Sequence, residues 1–176
     1  MAFYLKREFV DIEMKVFMMM TASPLGILRL MGNPAKGLTG LLFQEEACPY
    51  DVEEREIPLL QAAQNWLFSY FSGERPKEKL PLAPEGTAFQ KEIWSYLLSI
   101  PYGTYQTYGD IAKRVEERTK RRMSSQAVGQ ALKKNPIPIF IPCHRVLGKH
   151  GKLTGYAGGI DRKLKLLEVE HISYIK

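Results

Sequence analysis

The apolar positions change period near residue 58. Before it, Ala2–Val10 and Ile12–Met20 are dense in aromatic, β-branched and methionine residues, and shorter apolar runs follow at Gly26–Met31 and Gly37–Phe43. Turn-forming residues separate these runs, Ser23-Pro24 and then Gly32-Asn33-Pro34, so the pattern predicts a β-meander. Residues 44–57 are acidic and read as a loop leading into a helix. From Pro58 onward, Leu59, Leu60, Ala63, Trp66, Leu67 and Tyr70 recur at helical spacing. Pro58 suits a first helical turn and Gly73 a C-terminal stop.

Residues 73–88 carry three prolines and two glycines and no sustained period, which marks a linker between a first part, 1–86, and a second, 87–176. Beyond it Phe89, Ile93, Trp94 and Leu97 predict a helix that ends before Pro101-Tyr102-Gly103. A second short helix opens at Thr107, with Asp110 in capping-box position and Ile111, Ala112 and Val115 facing inward. A polar, basic run from Glu116 to Arg122 follows, then a third helix from Ser124 or Ser125 to Lys134 with Ala127, Val128, Ala131 and Leu132 inward. Helix, turn and short helix rich in small residues is the outline of a DNA-binding helix-turn-helix, though many helical hairpins share it.

Composition narrows the class. The chain has 176 residues, 45% hydrophobic and 25% charged, which fits a folded globular protein and argues against wholesale disorder. Two cysteines exclude a disulfide framework and a four-cysteine zinc site. There is no apolar run of about eighteen residues to span a membrane. Glu8, Asp11 and Glu13 interrupt any apolar signal region, so the expected location is cytoplasmic, nucleoid-associated or nuclear as the host dictates. Charge is divided unevenly. Residues 1–86 hold 9 Lys and Arg against 12 Asp and Glu, whereas 87–176 hold 16 against 7, a net −3 followed by a net +9. A basic second half points to a polyanion partner, against the plainer reading of a solvated basic face.

The candidate chemistry lies in Asn135–Val146, NPIPIFIPCHRV. Pro136, Pro138 and Pro142 forbid a helix, and Ile137, Ile139, Phe140 and Ile141 make the segment apolar, so an extended, buried run is expected. Cys143 ends that run, immediately before His144 and Arg145. A lone cysteine is ordinarily a small buried hydrophobe. As a nucleophile it needs help, because a thiol of pKa about 8.5 is only about 3% ionised at pH 7. Neighbours in an extended chain face opposite ways, so a water or a turn would have to couple Cys143 to His144. A base also needs an orienting acid, for which Asp161, Glu168 and Glu170 are the downstream candidates. Between them, Thr154–Gly159 reads TGYAGG, a glycine-rich loop suited to close approach to a ligand.

These residues together resemble the O6-alkylguanine-DNA alkyltransferases, also called methylated-DNA–protein-cysteine methyltransferases. The signature is Ile141-Pro142-Cys143-His144-Arg145-Val146 after Asn135-Pro136. It is supported by Phe89-Gln90 with Trp94, Ile100–Ala112, Ala127-Val128-Gly129, Gly155-Tyr156 with Gly158-Gly159, and Lys163 with Leu166-Leu167. The resemblance runs over residues 58–171. It implies an α+β fold with a small RNase H-like N-terminal domain of sheet and helix, and a helical C-terminal domain with a helix-turn-helix. It also implies a monomer that binds the minor groove of double-stranded DNA containing O6-alkylguanine, with no cofactor and no metal. Extruding the damaged base would bring its alkyl carbon out of the stack. Cys143 would then take the alkyl group in one displacement, with His144 as base, Glu170 polarising it, Tyr108 assisting the leaving base and Asn135 organising the turn before the cysteine. Ser125, Gln126, Ala127 and Gly129 would contact DNA. Val146, Tyr156, Ala157 and Gly158 would line the guanine pocket.

Three positions depart from the family pattern. Gln126 stands where an arginine usually fills the gap left by the flipped base, and Arg121 or Arg122 are candidates to compensate. The turn at 116–123 is longer by about four residues, mostly basic, so it is either a phosphate contact or a solvated loop. Ala157 replaces a frequent serine. A structural zinc, known in some relatives' N-terminal domains, is not expected, because residues 1–86 hold Cys48 and no histidine. The competing readings are a lesion-binding or helix-turn-helix protein without transfer activity and, more remotely, a cysteine hydrolase.

Overall fold

The computed structural model describes residues 15–48 and 52–176. Strands β1 (Phe17–Ser23), β2 (Gly26–Asn33) and β3 (Gly37–Phe43) form an antiparallel meander, and β4 (Glu53–Glu54) adds to the outer side of β1 in parallel. The order β3-β2-β1-β4 makes a mixed sheet. Of the strand predicted at 12–20, residues 12–14 lie outside the described residues; β1 begins at Phe17 and runs on to Ser23, because the tight turn to Gly26, at φ +97°, closes the β1–β2 hairpin. The strand predicted at 2–10 lies outside the described residues. The stretch 44–57, predicted to be loop, contributes β4.

Burial alternates along β1, with Phe17, Met19 and Thr21 inside and Met20 outside, as a sheet covered on one face requires. Helix α1 (Pro58–Phe71) supplies that cover. Leu60, Ala63, Leu67 and Tyr70 form its buried stripe, and Gln64 Nε2 donates to Thr21 Oγ1 at 3.0 Å. The helix lies so near the sheet that a Cβ on Gly32 would stand 2.9 Å from Leu59 Cδ2. The proline-rich linker is partly pinned. Leu38 N–H donates to Pro81 O at 2.8 Å and Ala83 N–H to Leu38 O at 2.7 Å, so Leu82 sits against β3. Cys48 is half-buried beside Met31. The chain divides into two compact units, up to Pro84 and from Glu85.

The second unit is built on α2 (Ala88–Leu97), α3 (Tyr108–Thr119), α4 (Ser125–Lys133) and α5 (Ile160–Val169). Reciprocal capping boxes start α2 at Thr87–Gln90 and α3 at Thr107–Asp110, and Ser124 caps α4. Ile93, Trp94, Leu97, Ile111, Val115, Val128 and Leu132 form the core, and Trp94 Nε1 donates to Ala131 O at 3.0 Å. The short strands β5 (Gln106–Thr107) and β6 (Val146–Leu147) pair in parallel, which ties the start of α3 to the chain just after Cys143. Helix α3 runs one turn further than its apolar positions predict. Arg118 on that turn ion-pairs with Glu92 and lies over the Tyr96 ring, and Lys120, at φ 57°, then ends the helix. The basic run at 116–122 is therefore mostly helix, and Arg121 and Arg122 fall on a short exposed connection. No helix among the described residues is long and apolar enough to cross a membrane.

Candidate active site

Two residues beyond the end of α4 stands the residue that organises the following loop. Asn135 Oδ1 accepts from Ile137 N–H at 3.0 Å, and Nδ2 donates to Ile141 O at 2.8 Å and lies 3.2 Å from Cys143 Sγ. One side chain thus ties together the two ends of the proline-rich turn and the thiol. Within the turn Ile139 is held at φ +74°, a conformation that a β-branched residue adopts only under constraint. The segment does not stay extended to its end. Cys143–Arg145 form a 3₁₀ turn, because Arg145 N–H bonds back to Pro142 O at 3.1 Å. Cys143 and His144 are therefore not on opposite faces of a strand, as the expected extended run would place them.

Behind the thiol, four charged or titratable side chains are buried: His144, Arg145, Lys163 and Glu170. Glu170, at the C-terminal end of α5, is the hub. Its Oε1 lies 2.6 Å from His144 Nε2. Arg145 donates to both oxygens, Nε to Oε2 at 2.8 Å and Nη2 to Oε1 at 3.0 Å, and Gly103 N–H donates to Oε2 at 3.1 Å. Burial alone would raise the Glu170 pKa, but the bonds and charges of His144 and Arg145 outweigh it and hold the carboxyl at about 2. An ionised carboxylate only accepts, so His144 Nε2 carries the ring proton and Nδ1 keeps the lone pair. Burial lowers the His144 pKa, against the pull of Glu170, and so keeps the imidazole neutral at rest. Of the other candidate acids, Asp161 and Glu168 are exposed.

Burial likewise raises the Cys143 pKa, which Asn135, the Lys163 charge and Tyr156 oppose. The resting pair is thus a thiol and a neutral imidazole, not an ion pair. Lys163 is fully buried and burial lowers its pKa to about 8, with Cys143 acting the other way.

Cys143 forms part of the wall of a cleft of about 1050 Å³. The start of α3 (Thr107–Asp110) supplies one side, α4 (Ser125, Gln126, Gly129, Leu132 and Lys133) another, and Lys149, His150 and Thr154–Ala157 the third. Tyr108, Ser125, Gln126, Gly129, Cys143, Tyr156 and Ala157 therefore come together around one space. Asn135, His144 and Glu170 stand behind it. Ala127, Val146, Gly158, Arg121 and Arg122 are outside the lining. The Val146 carbonyl is taken by Lys163 Nζ at 2.7 Å and that of Gly158 by Arg162 Nη1 at 3.0 Å. Among the described residues, no group of three His, Cys, Asp or Glu side chains is placed to hold a metal ion.

Sequence reasoning assigned no role to Arg145 beyond its charge, to Lys163 or to Thr154. A lysine in the inward series Lys163, Leu166, Leu167 of α5 was the available signal, since lysine on a buried stripe needs a reason.

Residues 88–172 match the profile of the 6-O-methylguanine DNA methyltransferase DNA-binding domain. The methylated-DNA–protein-cysteine methyltransferase of Methanosarcina acetivorans is 42% identical over 151 residues, 84% of this chain and 94% of that one. The constitutive enzyme of that name from Bacillus subtilis is 48% identical over 125 residues, 70% and 73% of the two chains. Among solved structures, Mycobacterium tuberculosis OGT in complex with DNA superposes with a TM-score of 0.76 at 39% identity, covering 88% of this chain and 92% of that one.

Proposed function

The chain belongs to the methylated-DNA–protein-cysteine methyltransferase family, and from that premise we propose that it repairs DNA by taking the alkyl group of an O6-alkylguanine onto Cys143. The observation that carries this reading is the thiol at the wall of a cleft large enough for a flipped base, backed by the His144–Glu170 pair. His144 Nδ1 takes the thiol proton through a water, and the resulting imidazolium is stabilised by a carboxylate already ionised and held by Arg145. The sulfur lone pair forms the S–C bond as the C–O bond breaks. The released electron pair stays on the guanine, where the Tyr108 hydroxyl donates a proton to the base. Such general acid assistance is worth about 10²–10⁴ in rate. The product is a thioether with no route back, so each molecule reacts once.

Helices α3 and α4 act as the helix-turn-helix. Its exposed Ser125 and Gln126, with Ala127 and Gly129 behind them, face the minor groove, and Gln126 occupies the gap left by the extruded base. Tyr156 and Ala157 flank the guanine. Arg121 and Arg122 contact phosphates, so replacing both should flatten the log–log salt dependence of DNA binding by about 2. An unchanged slope would mean a solvated loop.

Intact-mass measurement after incubation with O6-methylguanine duplex should show one methyl group per protein, mapped to Cys143. Cys143→Ala should keep lesion binding and lose transfer. Identical behaviour of wild type and this variant would leave binding as the whole activity.

A further inference from the structure

Lys163, Thr154 and Tyr108 form a hydrogen-bonded row behind the cleft wall, and the mechanism above uses only the last of them. The Lys163 ammonium has three N–H donors and all three are engaged: Val146 O at 2.7 Å, Thr154 O at 3.3 Å and Thr154 Oγ1 at 3.3 Å. Thr154 Oγ1 also lies 3.3 Å from the Tyr108 hydroxyl. Thr154, Tyr108 and Cys143 all line the same cleft.

We propose that Thr154 is a positioning residue for alkyl transfer: its hydroxyl accepts from Lys163 and donates to the Tyr108 oxygen, which turns the tyrosine's own proton toward the base in the cleft. The proposal rests on the reading of Tyr108 as donor to the leaving guanine. Its direction follows from the charge on Lys163. An ammonium has no lone pair, so Oγ1 must accept from it, and the positive charge favours a threonine proton directed away from the lysine. The Tyr108 oxygen, at 3.3 Å, is the acceptor within reach of that proton. A phenol that accepts there has its own O–H free for the cleft. Burial raises the Tyr108 pKa and keeps it protonated until the base needs it, while the Thr154 bond favours the phenolate as it forms. Removing the hydroxyl need not free the lysine, because the Val146 and Thr154 carbonyls remain as acceptors.

The test is single-turnover transfer from O6-methylguanine duplex at saturating DNA, with duplex affinity measured in parallel, for Thr154→Val, Thr154→Ser, Tyr108→Phe and the Thr154→Val/Tyr108→Phe double variant. Thr154→Val should react about tenfold or more slowly at unchanged affinity, part of the general-acid contribution. Serine should restore the rate to within about threefold. In the Tyr108→Phe background the valine change should have no further effect, since the group it orients is gone. If Thr154→Val reacts like wild type while Tyr108→Phe is slow, the role of Thr154 falls and that of Tyr108 stands. Wild-type rates for Tyr108→Phe would overturn both. A valine effect that persists without the phenol, or that serine fails to rescue, would reduce Thr154 to packing and overturn the proposal. Should the valine variant be unstable, Thr154→Ala against Thr154→Ser makes the same comparison.

Discussion

The two units bury different chemistry. In the sheet unit, the core includes Phe17, Met19, Leu28, Leu30, Leu41, Leu60, Leu67 and Tyr70, and the buried polar residues among those described are the neutral Thr21 and Asn33. In the second unit, an apolar core of similar kind surrounds His144, Arg145, Lys163 and Glu170. Removal of area from water accounts for the first, at about 25 cal/mol per Å² of apolar surface. It cannot account for the second, because buried charges are stabilising only when each finds its partner and are otherwise a liability. What the second unit gains is a carboxylate that stays ionised, an imidazole that stays neutral and a thiol that stays protonated until substrate arrives. Buried charged and titratable groups here mark chemistry, while buried apolar and neutral polar groups mark support.

The sharpest way to break that distinction is Glu170→Gln, which leaves the buried Arg145 without its counter-charge. It should destabilise the protein by about 3–5 kcal/mol in urea unfolding and also abolish fast transfer. Wild-type stability in the variant would mean that the network does not hold the unit together. The same carboxyl sets an acid limit. Its folded pKa of about 2 lies below the ordinary carboxylate value, so its contribution, about 3 kcal/mol, is fully present above about pH 4.5 and is lost as pH falls toward 2. Stability measured from pH 5 to 2 should drop by that amount in wild type relative to Glu170→Gln, and parallel curves would contradict the assignment.

Leu60→Ala in α1 probes the other side. Deleting a fully buried leucine should lower stability by about 3 kcal/mol. The transfer rate of the folded fraction should remain that of wild type, and a matching loss of transfer would dissolve the division between support and chemistry. The smallest effect belongs to Thr87→Ala, which removes the capping box of α2. About 1 kcal/mol is expected in thermal or urea unfolding, with transfer unaffected. No change at all would mean that Gln90 caps the helix unaided.

Much of this is legible in the sequence. Helix α1 follows from apolar residues at i, i+3 and i+4 behind Pro58, and α3 from Thr107 and Asp110 at capping distance. The extra turn of α3 is not, because Arg118 is stabilised there by Glu92 and Tyr96, on a different helix. Nor is β4, whose two exposed glutamates carry no strand pattern and are paired only because β1 lies beside them. At the site, the hexamer around Cys143 marks the candidate nucleophile and its neighbour. Three downstream acids stand as candidate partners for His144, and the packing of α5 buries Glu170 alone among them.

By itself, then, the sequence determined what is written in local order: the helical periods, the caps, the proline-bound turn from Asn135, the basic second half and the cysteine in its signature. The tertiary structure alone decided what depends on side chains far apart in the chain. It set the charge states of Cys143, His144 and Lys163, the choice of Glu170, and the row from Lys163 through Thr154 to Tyr108. The reason is physical. Periodicity and capping act over a few residues, whereas burial and a hydrogen-bond partner come from whichever segments the fold brings together, and those two quantities set a pKa.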